Sequence, residues 1–312
     1  MDNIKEFANR VREEIERNYL NTVEVKVQEI LKNNGVCLTG LTIIRENSNL
    51  SPTVYINELY DEYINGNMSI VGIAATIMDT YEHNRISENV DMSFFLKYES
   101  VKSMLYCKLI NLESNRELLS EVPHEVFLDL AIVPYCLLRK EDIDTGGTAS
   151  ILIRNSHVKN WGISRKEVLK DAMANTREKQ GSQITDMKTV LKDITGMIIP
   201  DDCDMYVMTG KNKVNGAISM TDTDALMRFA GKIKKDLFII PSSIHEVILV
   251  PTDSDEDMDT MNEMVVSVND TEVAREEILS DHVYYFSKEY GYGDDPGVKK
   301  AEPGVIGAME GS

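Results

Sequence analysis

Phe238-Ile-Ile-Pro-Ser-Ser-Ile-His-Glu-Val-Ile-Leu-Val-Pro251 sets two short apolar runs on either side of a proline-led turn. Pro241 has no backbone N–H to give to a sheet and fixes its own φ, so it ends the first run. Ser242 or Ser243 then caps the turn, and His245 has backbone groups within reach. Leu237–Ile240 and Val247–Val250 therefore read as neighbouring strands joined by Pro241–His245.

The same order of strand, turn, strand and helix recurs upstream. In a first module, Val36–Arg45 and Thr53–Ile56 flank the polar turn Glu46–Ser51, with helices over Glu58–Tyr63 and Ser69–Glu82. In a second, Glu125–Leu138 and Ala149–Ile153 flank Lys140–Thr148, whose Asp144-Thr-Gly-Gly147 suits a hairpin turn. Helices over Ser156–Trp161 and Arg165–Arg177 follow, the latter capped by Ser164. In a third, Met205–Thr209 and Ala217–Met220 flank Lys211–Gly216, before a helix over Asp222–Lys235. Paired strands ahead of each helix imply antiparallel hairpins and argue against a doubly wound parallel sheet. The fold class expected is α+β, with antiparallel sheets covered by helices.

Ahead of the modules, Ile4, Phe7, Val11, Ile15 and Leu20, then Val23, Val27, Ile30 and Leu31, predict one long amphipathic helix from Asn3 to Asn33, stopped by Asn33-Asn-Gly35. Between modules, Met104–Leu109 reads as strand, Glu113–Leu119 as helix, and Lys179–Pro200 as a helix carrying Ile184, Met187 and Leu191. Beyond the third module come an acidic loop Asp253–Asp259, a helix over Glu263–Glu277 (with Val265–Val268 an alternative strand) and a strand at Val283–Phe286. The organisation expected is 1–98 for the N-terminal helix and first module, 99–200 for the linker and second module, 201–289 for the third module with its acidic extension, and 290–312 for a disordered Gly/Pro-rich tail.

Composition narrows the function. The 312 residues carry a net charge of −19, of which −12 falls after Val250. Phosphate binding needs clustered Lys and Arg, and the best cluster, Gly231-Lys-Ile-Lys-Lys235, is short. Direct nucleic-acid binding is not expected. The apolar runs are too short for a membrane span, and the N-terminus lacks a signal peptide's basic start and apolar stretch. Cys37, Cys107, Cys136 and Cys203 stand far apart and read as buried reduced thiols of a cytoplasmic protein.

Four patterns bear on chemistry. Ser242, Ser243, His245 and Glu246 bring a nucleophile, a base and a carboxylate together, with Asp129 an alternative carboxylate. No Gly-x-Ser-x-Gly elbow accompanies them. His-Glu-Val occurs twice, at 124–126 and 245–247, but Leu128 and Leu249 stand where a zincin needs histidine. Asp253, Asp255, Asp257 and Asp259 alternate like a calcium loop, yet Met258 and Met264 occupy its glycine and glutamate positions. Gly146-Gly147 and Gly291/Gly293 match no nucleotide-binding loop. Neither a metal nor a cofactor is expected.

Several phrases carry a resemblance. They are Asn33-Asn-Gly35 with Leu38-Thr-Gly-Leu41, Pro52-Thr-Val-Tyr-Ile56, Lys108-Leu-Ile-Asn111 with Asn115, Val122-Pro123 with Asp129-Leu130, and Pro241-Ser-Ser-Ile-His-Glu-Val247. The chain resembles the family known as domain of unknown function 5688, over about Asn3 to Phe286. The resemblance implies a cytoplasmic clostridial protein and supplies no reaction or catalytic residues. The leading expectation is a binding or adaptor module that holds a protein partner through its sheet surface and acidic C-terminal part. Met258, Met261 and Met264 would lend that part a soft contact surface. A hydrolase built on Ser243 or Ser242 with His245 is the alternative, and an acidic decoy for a nucleic-acid-binding protein is a further one.

Overall fold

The computed structural model describes residues 3–19, 22–45, 53–84, 92–138, 149–196, 204–252 and 258–293. The turns at 46–51 and 140–148, most of the acidic loop (253–257), Cys203 and the tail from 294 lie outside the described residues. The chain forms two compact units, Met1–Met104 with Cys136–Ile151, and Leu105–Tyr135 with Leu152–Ser312. The class is α+β, and the strand pairings given by register are antiparallel.

The N-terminal unit opens with α1, Ile4–Asn18. Asn3 caps it, accepting from the N–H groups of Lys5 and Glu6, while Glu6 accepts from the N–H of Asn3. Phe7, Ala8, Val11 and Ile15 form its buried stripe. The helix does not continue to Asn33 as its apolar spacing suggests. Val23–Leu31 is instead strand β1, paired with β2 (Cys37–Arg45) from Val23↔Arg45 to Leu31↔Cys37. Val23, Val25 and Val27 alternate at period two, and β-branched residues pack well on a pleated surface, so burial of Val23 and Val25 beside Leu41 and Ile43 decides the outcome. Asn33-Asn-Gly35 is then a hairpin turn, with Asn34 at φ 58° and Gly35 at φ 67°. Left-handed residues end helices and turn hairpins alike, which is why the signal misled. Strand β3 (Thr53–Tyr55) pairs with β2 and leads into α2 (Asn57–Ile64) and α3 (Ile70–Asn84). The α3 residues Ile73, Ala74, Ile77, Met78 and Tyr81 complete the core with α1. A short helix, α4 (Tyr98–Val101), follows.

The C-terminal unit begins with β4 (Leu105–Asn111), five of whose seven residues are buried, and the short helix α5 (Arg116–Ser120). The expected strand Glu125–Leu138 is two strands, β5 (Glu125–Phe127) and β6 (Leu130–Leu138), folded back at Leu128-Asp129. Leu128 takes φ 57° there, a conformation that costs leucine about 1–2 kcal/mol. The sheet order is β4-β6-β5, with β7 (Ala149–Leu152) also on β6; Cys136–Leu138 of β6 and Ala149–Ile151 of β7 are counted with the N-terminal unit. Helices α6 (Asn155–Trp161) and α7 (Arg165–Asn175, capped by Ser164) come next, and α7 runs into a π-helical turn, Thr176–Gln180.

A six-stranded sheet fills the rest, in the order β13-β12-β10-β11-β9-β8. Its strands are β8 (Gln183–Asp186), β9 (Tyr206–Thr209), β10 (Asp236–Ile240), β11 (Val247–Thr252), β12 (Tyr284–Ser287) and β13 (Gly291–Gly293). Leu237↔Pro251 and Ile240↔Ile248 pair β10 with β11, as the two apolar runs predict. Helix α8 (Met187–Thr195) follows β8, with Asp186 capping it, so Ile184 lies in a strand rather than in the helix expected from residue 179. Gly216–Thr221 is a buried 3-10 turn and not a strand, and α9 (Thr223–Ile233) follows, capped by Asp222. Helix α10 (Met258–Thr271) covers one face, Val265 packing with Phe238, Val283 and Tyr285. Val265–Val268 is thus helical, and α10 ends at Thr271, short of the expected Glu277. Residues 290–293, expected to be disordered, close the sheet edge instead: the Tyr292 hydroxyl donates to the Met220 carbonyl at 2.7 Å, and its ring meets Phe286 edge-on. Two of the described cysteines, Cys107 and Cys136, are buried free thiols, but Cys37 is exposed. Burial, with Glu125 adding to it, pushes the Cys107 thiol well above its ordinary range.

One charge at the sheet gives a pH signature. Asp236 accepts from the Tyr285 hydroxyl, and from the backbone N–H and ammonium of Lys288 at 2.9 and 3.3 Å. Burial works against its ionisation, but these donors and the Lys288 charge outweigh it and hold the carboxyl below its usual range. A depressed folded value favours the ionised form. The stabilisation is therefore full above the unfolded carboxyl's pKa of about 3.9 and is lost as pH falls through the folded value. Thermal melts should show Asp236→Asn less stable than the parent at about pH 7, with the gap closing below about pH 4. A gap independent of pH would remove the carboxylate from the explanation.

Candidate functional site

The turn between β10 and β11 is built against the loop that follows β9. The Thr209 hydroxyl, at the end of β9, donates to the His245 carbonyl at 2.8 Å. The Ala217 N–H donates to the Ile244 carbonyl at 3.2 Å, and the Ile244 N–H donates to the Glu277 carbonyl at 2.9 Å. Gly216 sits where these segments meet, and a Cβ there would lie 2.5 Å from the His245 carbonyl oxygen and 2.7 Å from the Gly210 nitrogen. Only glycine permits so close an approach. Lys213 and Asn215, both left-handed at φ 54° and 53°, shape the loop that delivers it.

Each expected site residue now has a place. The Ser243 hydroxyl accepts the His245 N–H at 3.0 Å, and the Ser243 N–H donates to the Glu246 carbonyl at 3.3 Å, so the serine caps its own turn. The Ser242 N–H donates to the Ile240 carbonyl at 3.0 Å. The imidazole of His245 accepts the Asn215 N–H on Nδ1 at 3.1 Å. That acceptor role places the ring proton on Nε2, which faces the Glu277 carboxylate at 3.4 Å. The ring nitrogens are directed at Asn215 and Glu277 rather than at a serine hydroxyl. Ser242, Ser243, His245 and Glu246 share one half-buried turn.

Asp129 lies elsewhere. It accepts from the Ser280 hydroxyl at 2.9 Å and the Tyr284 hydroxyl at 2.6 Å. Burial, then the adjoining Asp129 charge, raises the Tyr284 phenol far above its ordinary value. Two other histidines also serve the backbone: Nδ1 of His124 faces the Val122 carbonyl at 2.9 Å, and Nδ1 of His157 accepts the Arg154 N–H at 3.2 Å. Burial and the Arg154 charge lower the pKa of His157.

Sequence reasoning missed Asn215, Gly216, Thr209 and Glu277 as partners of the turn. Asn215-Gly216 is a turn signal visible in the chain, but nothing in sequence joins it to His245 thirty residues on. Behind this site the Gln180 amide donates to the Tyr135 hydroxyl at 3.3 Å, and the Gln180 carbonyl accepts the Lys211 N–H. Burial raises the Tyr135 phenol, opposed by hydrogen bonds from Gln180 and Asn215. The π-helical turn supplies Gln180, and such turns concentrate at functional places. His245 with Glu277 offers two donors, fewer than the three protein ligands typical of catalytic zinc.

A model of a family of unknown function, DUF5688, matches residues 4–288. The chain belongs to DUF5688. The DUF5688 match takes in Thr209, the Asn215-Gly216 loop, the Pro241–Glu246 turn and Glu277, and it stops before β13. No curated protein and no solved structure matches this DUF5688 chain.

Proposed function

We propose that the chain is a protein-binding module of the bacterial cytoplasm, holding a basic partner through the outer face of α10. One observation carries the reading. The helix is anchored by buried Val265 and Asn269, yet turns Met264 (61% exposed), Val266 (41%) and Val268 (45%) to solvent. Met264 and Val268 are four residues apart and share a face. Asp259, Glu263 and Asp270 are exposed on the same helix. Apolar side chains beside acidic ones suit a partner segment carrying both aliphatic groups and Lys or Arg.

The helix is held firmly enough to act as a preformed surface. The Asn269 amide donates to the Ser280 carbonyl at 3.1 Å and to the Asp281 carboxylate at 2.8 Å, and the Asn262 side chain accepts the Val283 N–H at 2.8 Å. Met258 and Met261 are partly buried against the sheet, which leaves Met264 as the adaptable residue of the three. The buried free thiols Cys107 and Cys136 suit a reducing compartment. No helix among the described residues is long and apolar enough to cross a membrane.

Photo-crosslinkers placed at 264 and 268 in living cells test the reading. A discrete crosslinked partner is expected at both positions, lost when Glu263→Lys and Asp270→Lys reverse the rim charge. Crosslinks no different from those made by a probe at exposed Lys170 on α7 would sink it.

A further inference from the structure

The N-terminal unit carries a groove of about 750 Å³ between α1 and β1. One wall is the α1 stripe Lys5, Asn9, Arg12 and Glu16, and the other is the run Glu24–Glu29. β1 ends its three-stranded sheet, so one of its edges has no strand partner among the described residues. The backbone N–H and C=O of an antiparallel strand residue point to the same side, and the side alternates along the chain. The Val25 N–H donates to the Glu16 carboxylate at 3.1 Å, so the backbone N–H of Val25 faces the groove while its side chain lies in the core. Alternation aims the N–H and C=O of Val27 and Glu29 the same way, and the Lys32 N–H, of opposite parity, bonds the Val36 carbonyl across the hairpin.

The charges of the groove nearly cancel within it. Lys5 pairs with Glu29 at 3.1 Å and Lys26 with Glu24 at 3.5 Å, while Glu16 is taken up by the Val25 N–H. Arg12 is the exception. Its Nε is buried and has no hydrogen-bond partner among the described residues. Arg12 also lines the groove, and a carboxylate is the acceptor that matches the terminal N–H groups of a guanidinium.

We propose that this groove takes an extended acidic peptide of a partner protein, added as a strand to the free edge of β1. Its main chain pairs with Val27 and Glu29, and an aspartate or glutamate side chain meets Arg12. Strand addition draws affinity from main-chain hydrogen bonds and specificity from the side chains that alternate off the added strand. Here the specificity element is Arg12. The site lies in the N-terminal unit and stands independently of the α10 reading.

The full chain is titrated calorimetrically with two capped five-residue Val/Thr peptides, one with a central glutamate and one with glutamine, and amide exchange is followed over residues 23–31. The glutamate peptide is expected to bind about tenfold or more tightly than its glutamine twin and to slow exchange at Val27 and Glu29. Arg12→Gln should erase that preference. Val27→Pro, tolerable because this N–H points off the sheet, should abolish binding of both peptides while Arg12 remains. Thermal melts check that both variants fold, and the comparison of the two peptides needs neither. Equal affinities for the two peptides, no binding at about millimolar peptide, or binding unchanged in Val27→Pro would each overturn the proposal. Full competition by glutarate at the peptide's own concentration would do the same, because a small dianion has no strand to add.

Discussion

Gly216→Ala is expected to destabilise the C-terminal unit by about 3 kcal/mol, seen as a fall of roughly 6–12 °C in its melting temperature. The added Cβ would sit 2.5 Å from the His245 carbonyl oxygen and 2.7 Å from the Gly210 nitrogen, and also against the Thr209 hydroxyl. The hydroxyl could rotate away, but the two backbone atoms cannot. Relief requires the 3-10 turn to withdraw, and withdrawal stretches both the Ala217–Ile244 and the Asn215–His245 hydrogen bonds. Gly231→Ala is the control. A Cβ there meets nothing within 4 Å, and its place inside α9 means that alanine should stabilise the chain by about 0.5–1 kcal/mol. Equal effects from the two substitutions would show that the close approach at Gly216 carries no strain.

Asp129→Ala is expected to cost about 2–4 kcal/mol in urea denaturation, the second large effect. Its carboxylate holds two hydroxyls, those of Ser280 (1% exposed) and Tyr284 (9% exposed), and neither has ready access to water. Its loss also leaves Leu128 in a left-handed turn without the neighbouring anchor. Asp129→Asn keeps an acceptor and should lose less. Combining Asp129→Ala with Tyr284→Phe should cost less than the sum of the single changes, because the phenylalanine no longer needs an acceptor. Strict additivity would mean that the two residues do not share the energy assigned to them.

The hairpin at 238–251 was readable because its two apolar runs and its proline are adjacent in sequence, so local chemistry decides the pairing. Val23–Leu31 shows the opposite case. Its valines fit period two, while Val23, Val27, Ile30 and Leu31 also fit a helical count, and only the burial of Val23 and Val25 chooses between them. Ala217–Met220 has the alternating look of a strand, yet all four residues are buried, so there is no polar face for alternation to report. Leu128 gives no turn signal at all, since its left-handed conformation is imposed by contacts and not by its own preference. The site divides in the same way. Ser243 and His245 stand two residues apart and were visible, whereas the imidazole's partners, Asn215 and Glu277, come from two distant loops. Arg12 sits at a helical spacing from Lys5, Asn9 and Glu16, but that spacing describes any solvated stripe. Its buried Nε is a property of the folded groove alone.

The bonds made by the last described residues reach far back along the chain: Asn111 to Leu279, Asp129 to Ser280 and Asp129 to Tyr284 span 168, 151 and 155 residues. A ribosome therefore lays down Asp129 long before anything can answer it, and Phe238 before the Tyr285 ring that packs on it. The C-terminal unit can reach its final form only after Tyr284 has been added to the chain. A message cut before codon 279 would yield a polypeptide with an unanswered Asp129 carboxylate and an open edge on β10.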